Sequence, residues 1–258
     1  MDQTTPIKPM GSLLSTAYWA IPAAILYIAH YVLAPRLVES GQPYLVAYLA
    51  AYVSTMALFL VAALAAYRLD DNPWRWEGFR ERFRLNRMRW QDWLWALGIL
   101  VFVIASYFGL AFTAGWLARN PLFAPHPVFA PEFGPAGAAG RVPGTFMGTP
   151  ITGSLGIALV FLLGWLFNII GEELWFRGYI LPRQEHAMGR HAWIANGLMF
   201  TLNHIWQPWN LLMILPGALL GAWVVQRRGN TWILIVSHGL ANAVLLVVVL
   251  LNGMGVKV

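Results

Sequence analysis

The 258-residue chain has no cysteine and few charged residues, and each shortage excludes something different. Without cysteine there is no disulfide, no thiol nucleophile and no Cys-ligated zinc. Charged residues make up 11% and hydrophobic residues 59%, too few ionic groups to keep an ordinary domain in water. Acidic side chains are fewest, 11 against 17 Lys and Arg. Internal repeats are missing, and the one biased stretch is the Pro/Gly/Ala-rich 120–152, which lacks apolar periodicity and reads as an irregular loop. What the chain has in plenty is long apolar runs, and its mean hydropathy of +0.58 marks an integral membrane protein.

The expected fold is therefore all-α, a polytopic transmembrane bundle. Spans are placed at 12–34, 43–67, 91–118, 154–178, 192–206, 209–226 and 231–251, about seven in number, with six to eight compatible with the pattern. The fifth and sixth are short and divided only by Gln207-Pro208, so they read as a broken or tilted hairpin. Residues 1–11 read as a lead-in to the first helix and not as a removed signal peptide. Two regions are expected: an N-terminal three-span part over 1–153 and a core over 154–258 that carries the chemistry.

A net charge of +6 raises the question of nucleic acid, but the basic residues sit in short loops between apolar runs, where they orient a membrane protein. The expected partner is the lipid bilayer and not nucleic acid. The loop with Arg68, Arg75, Arg80, Arg82, Arg84, Arg87 and Arg89 goes to the cytoplasm of a cell inner membrane. Alternation then puts the N-terminus, Arg183, Arg190, Arg227 and Arg228 inside, and Arg36, Arg119, Arg141 and Lys257 outside. The segment 74–90, with Arg among Trp and Phe, reads equally as an interfacial helix or a charged connecting loop.

Against this apolar background the run Gly171-Glu172-Glu173-Leu174-Trp175-Phe176-Arg177 stands out. Ionisable groups at membrane depth cost roughly 2.5–3.5 kcal/mol each, so they are rarely there without a role. Two later spans add His204, in FTLNH, and His238, in SHGLANA. At about 1.5 Å per residue, Glu172, His204 and His238 all fall roughly 9–18 Å below the inner surface, in one layer expected to open to the cytoplasm. Glu173 and Arg177 are spaced for an intrahelical ion pair, which leaves Glu172, about 100° round the helix, free to face something else. His238 and Asn242 likewise share a face.

A carboxylate and a histidine holding one water form a general base, and a second histidine with an amide can donate to an oxyanion. Each group alone would equally serve as a helix–helix contact; their joint depth favours catalysis. His30, alone on the first span, reads as structural. His126, in the outer loop, and His186 and His191, near the inner interface, read as solvated.

GEELWFRG, FTLNH and SHGLANA resemble the three signature motifs, EExxxR, FxxxH and HxxxN or HxxxD, of the CPBP family of intramembrane proteases, which includes the CAAX prenyl endopeptidases and the bacteriocin-processing or Abi proteins. The resemblance covers about residues 154–251. It implies an endopeptidase in which Glu172 and His204 activate water, His238 and Asn242 stabilise the oxyanion, and Glu173 and Arg177 form a supporting pair. The implied substrate is a membrane-associated protein or peptide. No cofactor is expected; zinc held by Glu172, His204 and His238 is the alternative, disfavoured because Asn242 is a natural oxyanion donor and a poor zinc ligand. A transporter remains a second class, since buried Glu, Arg and His also mark ion pathways, although no related halves are visible. An inactive immunity protein is a third.

Overall fold

The computed structural model describes residues 6–129, 134–135, 144–256 and 258; Arg141 and Lys257, both assigned above to the outer side, lie outside the described residues. Helix α1 (Ser12–Ile28) passes through one widened turn, Ala29–Leu33, into α2 (Ala34–Glu39). Pro35 lacks the N–H that a regular turn would use, and the wider turn ahead of it accommodates its ring. There follow α3 (Tyr44–Leu69), the short α4 (Trp76–Arg82), α5 (Trp90–Gly109) and α6 (Ala111–Leu117). A two-stranded hairpin, β1 (Thr145–Phe146) with β2 (Thr149–Pro150), leads into α7 (Leu155–Glu172). A π-helical segment, Glu173–Ile180, then joins α7 to α8 (Leu181–Met188), and α9 (Ala192–Leu202), α10 (Leu211–Arg228) and α11 (Trp232–Gly253) complete the bundle.

Among the described residues six helical runs are long and apolar enough to cross a membrane, and the chain is an integral membrane protein. The run Leu155–Leu202 is 48 residues long and takes in nearly all of the fourth expected span and most of the fifth. Its last part, α9, has 11 residues, a rise of about 16 Å and so only half of a ~30 Å hydrocarbon core. The expected third span, 91–118, is divided at Leu110 between α5 and α6. Leu13, Val244, Phe108 and Phe112 are all exposed, which suits a surface whose solvent is lipid.

The core is built where α3 runs along α7. Two glycines on α7 make that approach close: a Cβ on Gly164 would lie 2.8 Å from the Tyr52 ring, and one on Gly171 would lie 3.0 Å from both Leu60 N and Met56 O. Small residues at such seams let backbones pack when no hydrophobic effect drives the helices together. Gly171 directly precedes the two glutamates, so this contact also sets their height and direction.

The Arg-rich segment includes the short helix α4 and packs against the bundle. Phe79 and Phe83 pack on Tyr67, Arg82 reaches Gly178 O (3.2 Å) and Asp70 (3.4 Å), and Arg84 grips both oxygens of Glu185 at 2.7 Å. Thr231 N donates to Arg84 O (2.9 Å), and Arg228 pairs with Asp92 at 2.8 Å. Arg183 is buried against Asp70 and Tyr179. The arginines assigned to one side by charge thus gather at one end of the bundle. Trp74, Trp76 and Trp90 stay exposed beside them.

Gly171→Ala is expected to cost about 1–3 kcal/mol by overpacking the α3–α7 seam, seen as a lower melting temperature in detergent. Gly156→Ala, with nothing within 4 Å of its new Cβ, is the control. Equal melting of the two variants contradicts the close-approach account.

Candidate active site

The π-helical segment starts at Glu173, so the local angular step is not that of an α-helix from the second glutamate onward. Two carbonyls in this segment receive side-chain donors. Asn196 Nδ2 donates to Phe176 O (2.9 Å), and Arg82 Nη1 donates to Gly178 O (3.2 Å). Asn196 is in turn held by Gln184 Oε1 at 3.0 Å. Irregular backbone at membrane depth is tolerated only where its polar groups find such partners.

Glu172, Glu173 and Arg177 are all buried. The expected Glu173–Arg177 pair is present, with Arg177 Nη1 3.4 Å from Glu173 Oε1. That same oxygen accepts from His238 Nδ1 at 2.9 Å, a contact the spacing did not reveal. The Arg177 guanidinium also lies over the Phe200 ring, 3.7 Å from its centroid. Phe200 has His204 on one side (5.0 Å between centroids) and His238 edge-on at 6.2 Å. One aromatic ring therefore spaces the two histidines and covers the arginine.

Both histidines have a defined orientation. His204 Nδ1 faces Phe200 O at 2.9 Å, and a carbonyl can only accept, so the proton sits on Nδ1 and Nε2 offers its lone pair. His238 Nδ1 donates to the Glu173 carboxylate, which orients the ring; a ring carrying protons on both nitrogens also has an Nε2–H to donate. Asn242 uses one amide hydrogen on His238 O (3.1 Å).

Glu173, Arg177, His204, His238 and Asn242 line one cavity of about 640 Å³ among α5, α9, α10 and α11. Glu172 is not in its lining. It is buried towards α3, within electrostatic range of Tyr52, His238 and Arg177, with Oε2 unpartnered. The structure thus brings together five of the six expected residues in one cavity and leaves Glu172 outside its lining. Among the described residues no three His, Asp or Glu side chains cluster closely enough to hold a metal.

Three cavity residues were missed. Ser237 is buried with an unpartnered Oγ, and its place next to His238 was the available signal. Gln207 and Asn210, bonded to each other at 3.3 Å, line the cavity from the turn that was read only as a helix break. His30 is buried, bonded to Leu26 O (2.9 Å) and stacked on Trp206 at 4.1 Å, away from the cavity. His126 accepts from Val128 N (3.2 Å), while His186 and His191 are exposed. A second cleft, of about 250 Å³ between α1 and α3, is almost wholly apolar and holds no histidine or charged group.

Residues 154–244 match the family model described as "Type II CAAX prenyl endopeptidase Rce1-like". No curated protein and no solved structure matches the chain.

Glu173→Gln should leave Arg177 buried without its counter-charge, a loss of about 3–5 kcal/mol for a broken buried pair, read as a lower melting temperature. Glu173→Gln combined with Arg177→Met should recover part of that loss, because replacing both partners by apolar or neutral groups removes the stranded charge. A double variant no more stable than the single one contradicts the pairing.

Proposed function

We propose that this chain, whose residues 154–244 match the type II CAAX prenyl endopeptidase Rce1-like family model, is a protease of that kind, a glutamate-type intramembrane endopeptidase. The observation that carries the reading is the single cavity lined by Glu173, Arg177, His204, His238 and Asn242. Its substrate is a membrane-associated protein or peptide; the family description names the prenylated CAAX class. The protein is placed in the cell inner membrane with its N-terminus cytoplasmic, as the arginine distribution supports.

In the mechanism, a water bound between Glu172 and His204 Nε2 attacks the scissile carbonyl carbon. Its proton passes to this pair, and the carbonyl oxygen becomes an oxyanion. His238 Nε2–H and the Asn242 amide donate to that oxyanion, which is where preorganised dipoles contribute most. Collapse breaks the C–N bond, and the stored proton goes to the leaving amine. Glu173 does not touch substrate in this scheme; it positions His238 and neutralises Arg177.

A second reading exchanges the glutamates. Glu173 lines the cavity and Glu172 does not, so Glu173 Oε2 would take the water's proton.

Glu172→Gln, His204→Ala and His238→Ala are each expected to lower cleavage of a membrane substrate by at least ~100-fold, the range for losing a general base or an oxyanion donor, with folding in detergent retained. Near wild-type cleavage by any one of them removes its assigned role. Full stability of Glu173→Gln with equal loss of activity assigns the base to Glu173. Activity is expected to survive a strong zinc chelator; its loss, with recovery on added zinc, favours the metal alternative at Glu172, His204 and His238.

A further inference from the structure

A chain of buried hydrogen bonds runs from the candidate site to the residues ahead of α1. Met10, wholly buried in the main core, donates its N–H to Arg183 O at 2.9 Å and so holds the lead-in against α8. Ser15 Oγ donates to Met10 O (3.4 Å) and accepts from Gln184 Nε2 (3.4 Å). Gln184 Oε1 accepts from Asn196 Nδ2 (3.0 Å), and the same Asn196 nitrogen donates to Phe176 O (2.9 Å). Met10, Ser15, Gln184 and Asn196 are all fully buried.

The direction of this chain is forced. Phe176 O can only accept, so the Asn196 amide faces it with its nitrogen, and the second hydrogen on that nitrogen must meet an acceptor. That requirement turns Gln184 Oε1 towards Asn196. The Gln184 nitrogen is left for Ser15 Oγ and for Met199 Sδ, which it meets at 3.1 Å. Ser15, having accepted, gives its one hydrogen to Met10 O. Loss of any link leaves a buried polar group unmet.

None of these residues lines the cavity. They reach the site through Phe176, which lies between Glu173 and Arg177 in the π-helical segment. They also reach it through α9, where Asn196 stands one turn before Phe200, the ring that covers Arg177.

We propose that Gln184 and Ser15 are positioning residues for the candidate active site: through Asn196 they couple the lead-in before α1 to the π-helical segment, and so hold Glu173 and Arg177 in place against His238. The lead-in is a latch on the site, fastened at Met10. This rests on the protease reading only where cleavage is the readout.

The test uses the full-length protein in detergent, with Gln184→Met, Ser15→Ala and their combination. Amide hydrogen exchange over Glu173–Ile180 should be about fivefold faster in Gln184→Met, the effect of one net hydrogen bond lost. Cleavage of a membrane substrate should show kcat lower by roughly 10–100-fold, as for a small misplacement of reacting groups, with KM within about twofold of wild type. Gly253→Ala is the control for a merely structural effect. Its Cβ would lie 2.5 Å from Ala158 Cβ, about 22 Å along the helix from Glu173, so it should lower the melting temperature without changing exchange over Glu173–Ile180. The double variant should match Gln184→Met alone, because a relay broken once is not broken further, whereas independent contacts add. Wild-type exchange over Glu173–Ile180 in Gln184→Met, equal acceleration in Gly253→Ala, or additive effects in the double variant overturns the proposal. Ser15→Ala, the smaller change, carries the same exchange test if Gln184→Met does not fold. A wild-type chain that cleaves nothing refutes the protease reading, and the exchange pattern then decides the latch by itself.

Discussion

One carboxylate oxygen holds the site together. Glu173 Oε1 takes Arg177 at 3.4 Å and His238 at 2.9 Å, and so ties the π-helical segment to α11. A guanidinium at this depth is too costly to leave alone, and its remaining surface is met by the Phe200 ring at 3.7 Å. Phe200 belongs to α9, so the same buried charge organises a third helix. The geometry of the candidate site follows these contacts: Glu173 Oε1 holds His238, and His204 is fixed by its bond to Phe200 O.

The π-helical backbone makes this arrangement possible and carries its own cost. Shifting the register after Glu172 frees carbonyls that lipid cannot satisfy. Asn196 on Phe176 O and Arg82 on Gly178 O fill that need, and they come from either side of the segment in the sequence. Arg82 belongs to the Arg-rich segment, whose arginines also bind Glu185 and Asp70. The basic segment thus also seals the irregular turn beside the candidate site. Arg82 and Arg84 thereby tie the N-terminal region to the helices that carry the candidate site.

Much of this was legible in the sequence, for physical reasons that also mark where legibility stops. The apolar runs announced the bundle because bilayer thickness fixes helix length, and i,i+4 spacing announced Glu173 with Arg177 because both are one turn apart. The direction of Glu172 was not legible. Reading it as free to face the site assumed a constant 100° step, and the backbone changes to π form at the next residue. The fusion of two expected spans into Leu155–Leu202 was hidden for a related reason: Arg183 and Arg190 look like loop charges, yet Arg183 is buried against Tyr179 and Asp70 within α8. Gln207 and Asn210 were hidden by their neighbour Pro208, which says where a helix stops and nothing about which way the turn's side chains point.

The cavity wall also constrains the form in which a substrate can react. A transmembrane helix has its carbonyls bonded internally, and a carbonyl in that state can neither rotate towards an attacking water nor accept from His238 and Asn242. A segment must unwind before its peptide bond is reachable, and unwinding in lipid leaves several backbone groups unpaired at a cost of several kcal/mol each. On the protease reading, the cavity lowers that cost with the polar groups of its own lining, Gln207, Asn210 and Ser237. Selectivity then depends on how readily a segment unwinds as much as on its side chains. Segments interrupted by glycine, proline or a polar residue near their midpoint meet that requirement better than uniform apolar helices, because less backbone hydrogen bonding is lost when they open.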